Sequence, residues 1–112
     1  MAGKFELKQT DSGKYNFTLK AGNGQVILVS QTYASKDSAE AGIESVRNNA
    51  ADDARYERKT SKAGEPYFVL KAGNGQIIGN SEMYSGEAAM ENGVESVKKN
   101  GPDAEVNDTT GG

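Results

Sequence analysis

The chain is written twice. Leu19-Lys20-Ala21-Gly22-Asn23-Gly24-Gln25 returns unchanged as Leu70-Lys71-Ala72-Gly73-Asn74-Gly75-Gln76, an offset of 51 residues. Applied without a gap, that offset places Phe5 on Tyr56, Gly13 on Gly64, Phe17 on Phe68 and Tyr33 on Tyr84. It also places Gly42-Ile43-Glu44-Ser45-Val46 on Gly93-Val94-Glu95-Ser96-Val97. Between 4/55 and 53/104, about 21 of the 50 aligned pairs are identical, against a chance level of roughly one in fifteen to twenty. Each copy is one supersecondary unit. A unit of about 50 residues buries little apolar surface alone, so the two copies are expected to complete one core. The expectation is a single domain over residues 1–108, built of repeats at about 4–53 and 55–106, with a flexible tail over 108–112.

Within a repeat the hydrophobic period changes. Phe5 and Leu7 alternate with Lys4, Glu6 and Lys8, as in a half-buried strand. Asp11-Ser12-Gly13 supplies a turn. Tyr15, Phe17 and Leu19 then alternate with Asn16, Thr18 and Lys20. Ala21-Gly22-Asn23-Gly24 reads as a hairpin turn, where Asn-Gly reaches positive φ cheaply. Val26–Val29 is a third strand whose apolar run leaves its register open. Ile27 and Ile78, kept in both copies, are favoured as its inward pair, which fits a three-residue Gly-Asn-Gly loop.

The period then becomes helical. Ser35 is a capping residue for a helix whose Ala39, Gly42, Ile43 and Val46 share a face. Ser85 precedes the equivalent Met90, Gly93, Val94 and Val97. The helices should stop near Asn48-Asn49 and at Asn100-Gly101-Pro102. A short strand is expected after each, over 54–58 and 104–107, and Asp108–Gly112 reads as a frayed end.

These residues are familiar as a set. Phe17 to Tyr33, the helix Ser38-Ala39-Glu40-Ala41-Gly42-Ile43-Glu44-Ser45-Val46-Arg47 and their second copies resemble the YegP-like family of small bacterial proteins without an assigned function. The resemblance runs from Phe5 to about Val106. It implies an α+β fold of two tandem repeats, each of three strands, a helix and a strand. The repeats would share one antiparallel-rich sheet with two helices on one face and exchange their C-terminal strands, like a dimer made covalent. It brings no catalytic, cofactor or metal residues with it.

Composition excludes more than it suggests. The chain holds no Cys and no His, so thiolate chemistry and the commonest general base and zinc ligand are absent. Net charge is −3. Residues 1–53 carry six basic against seven acidic side chains and residues 54–112 seven against nine. No basic half is hidden, and nucleic acid is a poor expectation. Mean hydropathy is −0.72, no apolar run approaches the ~18 residues of a membrane span, and the alternating pattern begins at Lys4-Phe5. A cytoplasmic protein with neither signal peptide nor myristoylation signal is expected; the latter needs glycine where Ala2 stands.

Several features invite a functional reading beside a plainer one. The Ala-Gly-Asn-Gly-Gln turns suggest a phosphate cradle, but a strand rather than a helix follows them and no Lys-Ser/Thr pair does. Gly42 and Gly93 lie on apolar helix faces, where glycine costs ~1 kcal/mol relative to alanine. Close approach of the helix to the sheet would offset that, over Phe17 or Tyr33 and their counterparts. Tyr33 and Tyr84 are core rings or stacking platforms. Glu40 with Glu44, and Glu91 with Glu95, are cation ligands or solvated partners of Arg47, Lys98 and Lys99. Gly111-Gly112 resembles the end of ubiquitin-like sulfur carriers. In the second repeat, Tyr67 and Val69 fill the polar phase of Asn16 and Thr18. With Tyr15 they form the candidate partner surface.

The expected function is a non-catalytic protein-interaction or structural module, monomeric, with no cofactor and no metal. The alternative is a small-ligand or single-stranded nucleic-acid binder using the tyrosine-bearing sheet surface.

Overall fold

The computed structural model describes residues 3–110. The readings made at Met1-Ala2 and Gly111-Gly112 lie outside the described residues. The first repeat runs β1 (Lys4–Gln9), β2 (Tyr15–Lys20), β3 (Val26–Ser30) and α1 (Lys36–Asn49). A 3-10 turn over Asp53–Arg55 leads into β4 (Tyr56–Thr60), β5 (Pro66–Lys71), β6 (Ile77–Asn80) and α2 (Glu87–Asn100). A second 3-10 turn, Gly101–Asp103, precedes β7 (Glu105–Asp108). The strand expected over 54–58 therefore starts later. Asp52 accepts from the Ala54 N–H and tightens those residues into the 3-10 turn instead.

The strands form one sheet in the order β4-β5-β6-β3-β2-β1-β7. Every neighbouring pair is antiparallel except β1–β7, which is parallel. Each strand that follows a helix lies in the other repeat's half: β4 against β5, and β7 against β1. The halves meet at β3–β6, where Val29 faces Asn80 and Ser30 faces Gly79. Val29 and Asn80 are equivalent under the 51-residue offset, so a pseudo-twofold axis passes through that pair.

One core serves both copies. Phe5, Leu7, Phe17, Leu19, Phe68 and Leu70 are fully buried beneath Ala39, Ile43 and Val46 of α1 and Met90, Val94 and Val97 of α2. Full burial of each large side chain stabilises by ~1.5–3 kcal/mol relative to exposure. The sheet's β3 register resolves through a bulge. Leu19 faces Leu28 and Lys20 faces Val26, so Ile27 is the extra residue. Ile27 and Leu28 both join the core, as does Ile78. The favoured inward pair is correct, and Leu28 joins it.

The turns follow the three-residue form. Ala21 N–H donates to Gln25 O at 2.9 Å, Asn23 Oδ1 accepts from Gln25 N–H, and Gly24 alone takes the positive φ, 85°. Asn23 does not, although Asn-Gly suggested that it would share the left-handed conformation. Ser35 caps α1 by accepting from Ser38 N–H at 3.1 Å. α2 begins one residue later than Ser85 suggested, at a Gly86 cap that makes no side-chain bond. The expected frayed end is tied down at its start: Thr109 N–H and hydroxyl both donate to Leu7 O, at 2.9 and 2.7 Å.

Candidate functional site

The pseudo-twofold axis produces two related grooves, each between one repeat's helix and the other repeat's turn. The larger, of about 760 Å³, lies where Tyr33, Gly42 and Ser45 meet Ala72, Gln76 and Ile78. The smaller, of about 380 Å³, lies where Tyr84, Gly93 and Ser96 meet Ala21, Gln25 and Ile27. Both are lined by uncharged residues alone: hydroxyls, amides, glycine, alanine and isoleucine. Ile77, one of three exposed large apolar side chains among the described residues, stands in the larger groove.

The floor of each groove is a tyrosine on a phenylalanine. Tyr33 stacks on Phe17 at 6.2 Å between centroids and 7° between planes, and Tyr84 on Phe68 at 6.3 Å and 13°. Each phenol lies against its helix because the residue there is glycine. A Cβ on Gly42 would meet Tyr33 Cζ at 2.9 Å, and one on Gly93 would meet Tyr84 Cζ at 2.6 Å. The helical glycines thus make room for the tyrosines. Partial burial raises both phenol pKa values, so the hydroxyls stay protonated as donors through neutral pH.

Two serines that sequence reasoning did not single out support the floor. Ser30 Oγ accepts from Phe17 N–H at 2.8 Å and donates to Gln31 O at 2.7 Å. Ser81 repeats this with Phe68 N–H and Glu82 O, at 3.0 and 2.8 Å. Their retention in both copies was the available signal.

The candidate surface of Tyr15, Tyr67 and Val69 is not one surface. Tyr15 shares the phase of Phe17 and packs against the core. Tyr67 and Val69 alternate with Phe68 and Leu70 and so point to the opposite face. Val69 is itself buried, held between Glu57 and Asn80 on the flanking strands. Val69 is thus covered by its neighbouring strands, while Tyr67 is half-buried on that face.

Of the four helix carboxylates singled out, Glu44, Glu91 and Glu95 are engaged in ion pairs and Glu40 is exposed. Glu44 meets Arg47 at 2.6 Å and Glu95 meets Lys98 at 3.2 Å. Glu91 meets Arg58 at 2.7 Å, and Arg58 and Lys98 also hold Asp53, at 3.0 and 2.6 Å. The two cations draw the Asp53 carboxyl down to about 2. Among the described residues no group of three or more His, Cys, Asp or Glu is placed to hold a metal ion, and no helix is long and apolar enough to cross a membrane.

Comparison with known proteins extends these observations. The family model described as a domain of unknown function (DUF1508) matches twice, over residues 11–57 and 61–108. A UPF0339 protein of Acinetobacter baylyi is 53% identical over 111 residues, covering 99% of this chain and all of that one. The UPF0339 protein YegP of Escherichia coli is 52% identical over 110 residues, covering 98% of this chain and all of that one. Its solution NMR structure, titled as a protein of unknown function, superposes with a TM-score of 0.94, covering 100% of this chain and 97% of that one. The NMR structure of a UPF0339 protein from Shewanella oneidensis is similar, with a TM-score of 0.93 at 48% identity, covering 98% of this chain and 93% of that one.

Proposed function

The chain belongs to the DUF1508 family, and from that premise we propose that it is a non-catalytic protein-interaction module that receives a polypeptide partner in the grooves between its repeats. The observation that carries this reading is the uncharged lining of both grooves. Hydroxyl and amide groups beside Ile77 match the backbone and apolar side chains of a polypeptide. They bring no cation to neutralise a phosphate chain and no carboxylate, imidazole or thiolate to hold a metal ion. Acid–base chemistry needs a titratable pair in a cleft, and neither groove brings one. The second expectation, stacking of a ligand or a single strand on tyrosine, has less support, because Phe17 and Phe68 each occupy one face of the available ring. In this reading the chain acts in the cytoplasm as a monomer, its two repeats standing in for two subunits.

Plugging each groove tests it. Ala41 and Asn92 are exposed positions on the helices that line the grooves. Ala41→Trp and Asn92→Trp should leave the melting temperature unchanged. Proteins co-purifying with the unaltered chain should be lost from Ala41→Trp and kept by Lys62→Trp, a turn substitution outside both grooves. An identical set of proteins on all three variants overturns the proposal.

A further inference from the structure

We propose that the outer edge of β4 is a strand-acceptor site, separate from the two grooves, that takes an extended peptide segment carrying a lysine or arginine where β7 carries Asp108. The protein supplies its own template. β1 receives β7 in parallel, with Leu7 opposite Asp108. Two devices close that pairing. Thr109 donates twice to the Leu7 carbonyl, and Lys36, in the first turn of α1, holds the Asp108 carboxylate at 2.6 Å. The 51-residue offset carries Leu7 to Arg58 and Lys36 to Glu87. At that end of the sheet β4 is the last strand, so the lane β7 fills beside β1 has a counterpart with no strand in it among the described residues.

Backbone parity directs hydrogen-bonding groups into that lane. Successive residues of an antiparallel pair turn their N–H and C=O groups to opposite sides. The turn after β4 closes by Ser61 N–H donating to Glu65 O. Glu57 and Lys59 therefore bond to β5, and Arg58 and Thr60 face outward. Tyr56 faces outward too, but its N–H is returned to Asp53 O, so the open stretch begins at Arg58. A groove of about 230 Å³ lies there, lined by Arg58, Thr60, Pro66, Glu87 and Met90 among others. It is the counterpart of the place where Asp108 and Thr109 rest on the β1 side.

Charge decides what that place accepts. Arg58 is engaged by Glu91 and Asp53. Glu87 is exposed and enters no ion pair among the described residues. Where Lys36 attracts Asp108, Glu87 repels it and attracts a cation instead. The edge is thus disfavoured for the C-terminal strand of a second copy and favourable for a basic one, added by backbone pairing.

Peptide titration followed by amide NMR on the full chain decides the matter. Two end-blocked peptides spanning 105–110 serve as probes, one of native sequence and one with Asp108→Lys. The Asp108→Lys peptide should shift the Arg58 and Thr60 amides and bind about fivefold more tightly than the native one, the scale of one exposed ion pair. Glu87→Lys should invert that order. Equal affinities, an order unchanged by Glu87→Lys, or no shift at Arg58 and Thr60 at millimolar peptide overturns the proposal. Shifts confined to Phe5 and Leu7, which mean displacement of β7, also overturn it. So do concentration-dependent β4 shifts without peptide, which would give the edge to a second copy.

Discussion

Gly93 and Tyr84 should be coupled strongly enough to reverse the sign of a substitution. On an open helix surface, Gly→Ala stabilises by ~1 kcal/mol. Here the new methyl would lie 2.6 Å from Tyr84 Cζ and 3.2 Å from Phe68 Cε2, where carbon–carbon contact is comfortable at about 3.5–4.0 Å. The ring must therefore retreat by roughly 1 Å, against its stacking on Phe68. Overpacking of this kind costs ~1–3 kcal/mol, so Gly93→Ala should be destabilising by about 0–2 kcal/mol once the helix gain is subtracted. With Tyr84→Ala the phenol no longer obstructs and only Phe68 Cε2, at 3.2 Å, must give by a few tenths of an ångström, so Gly93→Ala should then stabilise by up to ~1 kcal/mol. Urea unfolding of the four proteins measures the coupling, expected at ~1–3 kcal/mol. Gly42 and Tyr33 give an internal replicate with the same sign and a smaller value, because the nearest ring carbon there is 2.9 Å away. A stabilising Gly93→Ala beside intact Tyr84, or additive effects within ~0.5 kcal/mol, would refute the account of both glycines.

Two more expectations concern single side chains that bind neighbouring segments together. Lys36 and Thr110 hold the Asp108 carboxyl at about 2, below its ordinary 3.8. A depressed carboxylate pKa stabilises the fold above the ordinary value and loses that contribution as pH falls toward the folded one. β7 should therefore loosen from β1 between about pH 4 and 2, with Asp108→Asn loosening it already at neutral pH; amide protection factors at Leu7 and Asn107, whose N–H groups face the β1–β7 pairing, that stay constant with pH would contradict this. Ser81→Ala leaves the Phe68 N–H and Glu82 O without their bridge. It should cost ~1–3 kcal/mol in urea unfolding, and a change under ~0.5 kcal/mol would show that water replaces the hydroxyl.

The sequence was most readable where the physics is local. Alternation in Phe5–Leu7 and Tyr15–Leu19 and the helical spacing of Ala39, Ile43 and Val46 each report one element's exposure. The glycine at position 24 reports one turn. Legibility failed where two distant segments decide together. Leu28 is inward because a bulge at Ile27 offsets it against Leu19, and no period within Val26–Val29 records a bulge. Tyr67 and Val69 departed from the polar phase, yet strands β4 and β6 cover Val69, which only the sheet order reveals. The grooves were invisible for the same reason: Tyr33 and Gln76 are brought together across the repeat boundary by the pseudo-twofold pairing of β3 with β6. Even so, half of each groove was in view, since Gly42 and Tyr33 were matched correctly as close neighbours.

The parallel pairing of β1 with β7 also has a mechanical consequence. The chain enters β1 at Lys4 and leaves β7 at Asp108, at opposite ends of two strands lying side by side. Tension applied through the residues before Lys4 and after Asp108 pulls the strands past one another along their length. All the ladder bonds, and the Thr109 and Lys36 attachments, then share the load at once, as in a lap joint. The hairpin pairs β1–β2 and β4–β5 would instead peel one bond at a time if pulled from their open ends. A pull through the chain ends thus meets the sheet in its stiffer direction, and the joint that must slip first is the one made by the last strand in the sequence.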